Sequence, residues 1–216
     1  LIDVGMDRPG AVAFGKPMEW LLGADPTQPL GSVGEQMGED ARRIAGVAFT
    51  HLHHDHTGGI GELCDAAGRQ IAVYQTPWQA EYTNFGSELG AEDLRAVDCV
   101  VPERLAIATG GRHYAIPGFA GLFAVAGGGH TPGSTIYLAR VGSTFWILAG
   151  DVSNTKSNLL ADVAKPLLYS WLIVPEDRER LGVLRRWLAG LDAEPATRVI
   201  VSHDGGALRD SGMAAY

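Results

Sequence analysis

Residues 51–56 read His51-Leu52-His53-His54-Asp55-His56, with Thr50 before them and Thr57-Gly58-Gly59 after. Side chains two apart in an extended segment point the same way. His51, His53 and Asp55 are therefore expected to converge, with His56 beside them on the turn and His54 pointing away. Neutral imidazole and carboxylate are ligands that zinc, iron and manganese accept. The apolar run Ile44-Ala45-Gly46-Val47-Ala48-Phe49 precedes the cluster. The expected order is thus a strand, a tight loop carrying the ligands, and a helix start. A tag would be terminal and would lack such flanks.

Working outward, Leu1 to Val4 reads as a strand ending at Gly5. Residues 6 to 38 carry Pro9, Pro17, Pro26 and Pro29 and read as a long loop with one helical turn near Met18 to Leu22. A loop of that length is usually functional, here a lid or a contact in a homodimer. Glu39 to Ile44 reads as a short helix and Ala45 to Thr50 as a strand. After the cluster come a helix from Gly59 to Ala67 ended by Gly68, a strand from Ile71 to Tyr74, and helices over 77–85 and 91–97. Strands are expected over 104–108, 112–116 and 121–126. A further strand pair, 135–140 and 144–149, turns at Val141-Gly142-Ser143. Leu181, Leu184, Leu188 and Leu191 recur at helical spacing. The helix they mark is expected to start at Pro175 and to stop at a Gly190 cap. Thr197 to Ser202 is the last strand. Helices alternating with runs of strands suit packed sheets flanked by helices.

The 216 residues suit one compact unit, 1–216. A net charge of −8 and a pI near 5.3 argue against a nucleic-acid surface. Arg178, Arg180, Arg185 and Arg186 alternate with Glu176, Asp177 and Glu179, as on a solvated helix face. Cys64 and Cys99 form no CxxC and read as buried apolar fillers rather than ligands or a disulfide scaffold. The longest apolar stretch, Leu167 to Val174, falls far short of a membrane span. These features point to a cytoplasmic protein with no membrane partner.

Further ligand types stand where strands end. His130 follows Ala126 in Gly127-Gly128-Gly129-His130-Thr131-Pro132-Gly133-Ser134. Asp151 follows the strand over 145–149, and His203 follows Val199-Ile200-Val201-Ser202. Sites assembled on strand ends place their ligands there. Ser134 and Ser202 lie next to ligands without a base of their own and read as structural.

The segments THLHHDHTGG, GHTPGS, GD and SHD, in this order, resemble the metallo-β-lactamase superfamily of hydrolases from residue 1 to about 204. The resemblance implies a single hydrolase domain with an α/β (α+β) fold, a four-layer αββα sandwich whose opening strand is absent from this sequence. It implies two divalent ions, zinc first, with iron, manganese or cobalt also suited to the donors. His51, His53 and His130 would bind the first ion and Asp55, His56 and His203 the second, with Asp151 between them. Asp3 matches a position that orients a ligand imidazole. A hydroxide shared by the two ions would attack an acyl or phosphoryl centre, and Asp55 would pass a proton to the leaving group.

Within the family, the motifs look most like acyl-homoserine lactonases, which implies a lactone or other small ester as substrate. Asp151 disfavours the β-lactamases proper. His53 stands where the flavin-linked diiron members carry Glu. The few residues after His203 leave no room for the helical domain of glyoxalase II-like thioesterases. The sequence departs from the lactonases at Asn154, where they commonly carry Tyr. Tyr169 and Trp171 are candidates for pocket lining, with core packing the plainer role. Phosphodiester or thioester hydrolysis is the alternative activity, and a non-catalytic metal-binding or sensor domain the alternative outside catalysis.

Overall fold

A computed structural model of the chain describes residues 1–22, 26, 28–108 and 111–213. Residues 23–25 and 27, inside the expected loop, lie outside the described residues. In chain order the helices are α1 (Arg8–Leu22), α2 (Val33–Met37), α3 (His54–Thr57), α4 (Ile60–Ala67), α5 (Pro77–Glu81), α6 (Phe85–Arg95), α7 (Lys156–Leu160), α8 (Arg178–Asp192) and α9 (Gly205–Asp210). The strands are β1 (Gly46–Ala48), β2 (Ile71–Gln75), β3 (Val100–Arg104), β4 (Tyr114–Ala115), β5 (Leu122–Ala126), β6 (Thr135–Val141), β7 (Thr144–Leu148) and β8 (Thr197–Ile200). The chain divides into two compact units, one made of Leu1–Tyr74 and Phe85–Glu103, the other of Gln75–Asn84 and the residues from Arg104 onward.

The first unit holds a three-stranded sheet in the order β1-β2-β3, with β1 and β2 parallel. Val47, Phe49, Leu63, Ile71 and Val73 are buried in its core. Enclosing each such side chain is worth about 1.5–3 kcal/mol, and this fixes β1 just upstream of the His51–His56 cluster. Helix α4 ends where expected, because Gly68 takes the left-handed conformation (φ 65°) and its N–H bonds Cys64 O.

Several expectations fail in this unit. The strand over 1–4 is only an isolated bridge at Ile2. The stretch over 6–38 contains two helices rather than one turn. Asp7 accepts the Gly10 N–H and so starts α1, where Pro9 needs no donor. Ser32 and Glu35 form a reciprocal capping box at α2. The cysteines are also not separate fillers, since Cys64 and Cys99 form a disulfide. Their Cα atoms are 6.1 Å apart because Ile71 N–H bonds Cys99 O, which draws the start of β3 against the strand that follows α4.

The second unit holds a five-stranded sheet in the order β4-β5-β6-β7-β8. Neighbours β4 to β7 run antiparallel, and β8 runs parallel to β7. Strands β5, β7 and β8 therefore point the same way, and their C-terminal ends share one sheet edge. Gly142, at φ 62°, turns β6 into β7 as expected. Helix α8 covers this sheet with Leu181, Leu184 and Leu188 packed on Ile136, Ile147 and Val199. It begins at an Asp177 cap rather than at Pro175, and it runs through Gly190 to Asp192. No helix among the described residues is long and apolar enough to cross a membrane.

Candidate metal centre

Strand β1 delivers the chain into the His cluster of the first unit. His51 and His53 keep the extended alternation read from the sequence, with His51 Nε2 3.1 Å from His53 Nδ1. Asp55 and His56 depart from it, because residues 54–57 form the helical turn α3, with His53 in the N-cap position. That turn still brings His56 Nε2 within 3.7 Å of Asp55 Oδ2. His54 points away as expected, and its Nδ1 bonds Asp93 Oδ2 at 2.8 Å.

Asp3 organises this cluster. Its Oδ1 accepts the Thr50 N–H at 2.7 Å, and its Oδ2 accepts the Thr50 hydroxyl at 2.8 Å and His56 Nδ1–H at 2.9 Å. The Thr50 hydroxyl, donating to Asp3, is left to accept from His51 Nδ1, 3.2 Å away. Both imidazoles are thereby held with the proton on Nδ1 and the lone pair on Nε2. Lone pairs collected in this way suit a cation. The 3.1 Å between His51 and His53 nitrogens is close to the ~3.4 Å ligand-to-ligand edge of a tetrahedron with ~2.1 Å bonds.

In the second unit, His130, Asp151 and His203 follow β5, β7 and β8 and gather at the shared edge. Asp151 Oδ2 lies 3.0 Å from His203 Nε2 and 3.5 Å from His130 Nε2. His130 and Asp151 are buried, while the His203 side chain is 47% exposed. The glycines before His130 serve geometry. Gly128 and Gly129 adopt φ of 66° and 91°, and a Cβ on Gly129 would strike Leu181 of α8. Ser134 has the structural part expected of it, its Oγ accepting the Thr131 N–H at 3.0 Å.

Residues 165–178 supply what the sequence reading missed. Glu176 Oε1 accepts His130 Nδ1–H at 2.6 Å and Lys165 Nζ at 2.8 Å, and Oε2 accepts the Ser170 hydroxyl at 2.6 Å. Burial raises the Glu176 carboxyl, but the hydrogen bonds from His130, Lys165 and Ser170 outweigh it and hold it at about 2. The basic cluster is a solvated face only in part, since Arg180 and Arg186 are exposed while Arg178 and Arg185 turn inward. Arg178 bonds Lys165 O, Arg180 bonds Gly127 O, and the buried Arg185 bonds Asp162. Tyr169 lies under Lys165 Nζ, 5.5 Å from the ring centre, and Trp171 is 72% exposed rather than a core aromatic. A Lys and a Glu set between prolines and apolar residues, Lys165-Pro166-Leu167 and Val174-Pro175-Glu176, were the available signal.

Residues 1–203 match the family described as the metallo-beta-lactamase superfamily. The chain belongs to that superfamily. Its fold is also that of solved structures at low identity. An N-acyl homoserine lactone hydrolase with N-hexanoyl-L-homoserine at its catalytic metal centre aligns at TM-score 0.62 and 15% identity, over 97% of this chain and 78% of that one. A mutant of AiiA from B. thuringiensis with N-decanoyl-L-homoserine at its active site aligns at 0.63 and 16%, with the same coverage. A dizinc quorum-quenching lactonase aligns at 0.57 and 16%, over 94% of this chain and 67% of that one. The mixed α/β metallo-beta-lactamase fold expected from the motifs is therefore the fold observed. A hydroxyacylglutathione hydrolase from Shewanella pealeana is 50% identical over 36 residues, which are 17% of this chain and 14% of that protein.

Proposed function

We propose that this superfamily member is a dinuclear metal-dependent hydrolase of lactones or other small esters, and that residues 1–216 act as one hydrolase domain. The observation that carries this reading is the ligand set itself. Every residue type the motif requires is present, and imidazoles of both units have Nδ1 committed to oxygen acceptors, leaving Nε2 as the donor. His51, His53 and His130 would hold one cation, Asp55, His56 and His203 the other, and Asp151 both. The donors lack thiolate, which suits zinc and also iron, manganese or cobalt.

When bound, such cations acidify a water to serve as nucleophile and polarise the ester carbonyl. The chain's own residues do the rest. Asp3 and Glu176 hold imidazole rings in place. Asp55 carries a proton to the departing alkoxide. Lactone is the leading substrate because the structural relatives include lactonases with ring-opened products bound. Asn154, in place of the lactonases' usual Tyr, offers an amide to the substrate instead of a phenol. A thioester is the second reading, favoured by the local likeness to a hydroxyacylglutathione hydrolase.

The test combines metal analysis with hydrolysis of homoserine lactone, thioester and phosphodiester panels. About two metal ions per chain and fastest turnover on lactones are expected, and His53→Ala should remove most of the metal and nearly all of the activity. Fastest turnover on thioesters would select the second reading. Metal-loaded protein inert on every panel would end the hydrolase assignment.

A further inference from the structure

We propose that Glu176 and Lys165 act as paired positioning residues for the metal centre, fixing which nitrogen of His130 meets the cation and where Asp151 sits. The inference rests on the metal-binding role of His130 proposed above. It comes from a buried polar network on residues 165–178, which none of the ligand motifs includes.

An ionised carboxylate only accepts, so the 2.6 Å contact between Glu176 Oε1 and His130 Nδ1 requires the ring proton on Nδ1. Lys165 Nζ also lies 3.3 Å from His130 Nδ1. Were it the donor there, the proton would move to Nε2 and block the ligand position. The shorter charge-assisted contact decides between the two. Lys165 has other acceptors, Glu176 Oε1 and the backbone oxygen of Asp151, each at 2.8 Å. One ammonium thus ties the carboxylate behind His130 to the main chain of Asp151. The Glu176 side chain is fully enclosed and that of Lys165 is 4% exposed, so neither charge is shared with solvent. Arg178 Nη1 holds Lys165 O at 2.9 Å and Ser170 Oγ at 3.1 Å, which anchors the pair from α8. A carboxylate behind a ligand imidazole also raises its basicity, and removing such a partner costs about 10–100-fold in metal affinity.

Removing one charge would strand the other, so the test replaces both. K165M/E176L substitutes apolar groups of similar size, an exchange that buried ion pairs tolerate. K165M/E176Q keeps an amide oxygen to accept from His130. Proton–nitrogen correlation spectra of metal-free protein report the His130 tautomer, and a chelator-competition titration reports zinc affinity. We expect an Nδ1-protonated ring in the wild type and in K165M/E176Q, and a loss of that preference in K165M/E176L. Zinc affinity in K165M/E176L should fall by about 10–100-fold, with partial recovery in K165M/E176Q and activity regained at saturating zinc. A wild-type ring protonated on Nε2, or K165M/E176L with unchanged tautomer and affinity, overturns the proposal. If the wild type binds none of zinc, iron, manganese and cobalt, the hydrolase reading falls, while the tautomer measurement still decides the assignment of Glu176.

Discussion

Asp3 adopts a φ of 56°, a region that asparagine and aspartate enter more readily than other non-glycine residues. That conformation lets one carboxylate accept from the Thr50 main chain, the Thr50 hydroxyl and His56. Replacing Asp3 with Ala leaves these donors without their acceptor, a cost of about 1–3 kcal/mol. It also releases the His56 ring, which should weaken metal binding by about 10–100-fold. Urea denaturation of the metal-free variant reads the first effect and zinc titration the second. Lost stability with unchanged zinc affinity would reduce Asp3 to a brace for the loop backbone. The family resemblance offered Asp3 the imidazole-orienting role alone. What the sequence lacked was the contact between residues far apart in the chain, which the Ile2–Ala48 pairing and the Val4 N–H bond to His56 O help create.

Glycines separate what local signals reveal from what packing decides. Gly190 stands near the end of a leucine-periodic segment and reads as a cap, yet α8 runs through it and a Cβ there would meet nothing within 4 Å. Gly190→Ala should therefore stabilise the protein by about 0.5–1 kcal/mol. A true left-handed cap would instead be destabilised, so the sign of the change is the test. Gly90 carries no local signal at all. It lies in α6, where a Cβ would collide with the Leu52 carbonyl between His51 and His53. Gly90→Ala should cost about 1–3 kcal/mol, as overpacking does, and displace the ligand loop enough to weaken zinc binding. A stable variant with normal zinc affinity would show that α6 does not set the loop. Elements announced by their own residues, such as α4 with Gly68 and the hairpin at Gly142, were legible. Helix α1 was not, because its prolines and glycines read as loop while the Asp7 cap that starts it went unnoticed.

Along the chain as one, the residues proposed as metal ligands stood out because the motifs gather imidazoles and carboxylates, and the strand directions explain why those of the second unit share an edge. Their supports did not, since Glu176 and Lys165 look like ordinary surface charges until burial is known. The disulfide was missed for a similar reason, its cysteines being 35 residues apart without a motif. Such bonds persist in oxidising compartments and are rare in the cytosol, so the cytoplasmic expectation loses its support. The proposed ligand set is divided, with His51, His53, Asp55 and His56 in one compact unit and His130, Asp151 and His203 in the other. Cations that bind both sets only in the native chain stabilise it by mass action, about 4 kcal/mol for each ion at a thousandfold excess over Kd. At roughly 2–4 °C per kcal/mol for a chain of this size, zinc should raise Tm by about 8–16 °C for each ion bound, and a chelator should reverse the rise. His53→Ala and His203→Ala remove a donor from different units. Each should abolish most of the zinc-dependent rise while melting near the wild type without metal. Calorimetry with and without zinc measures this directly. A full zinc-dependent rise in either variant would mean that the cations need donors from only one unit, and the shared dinuclear site would fail.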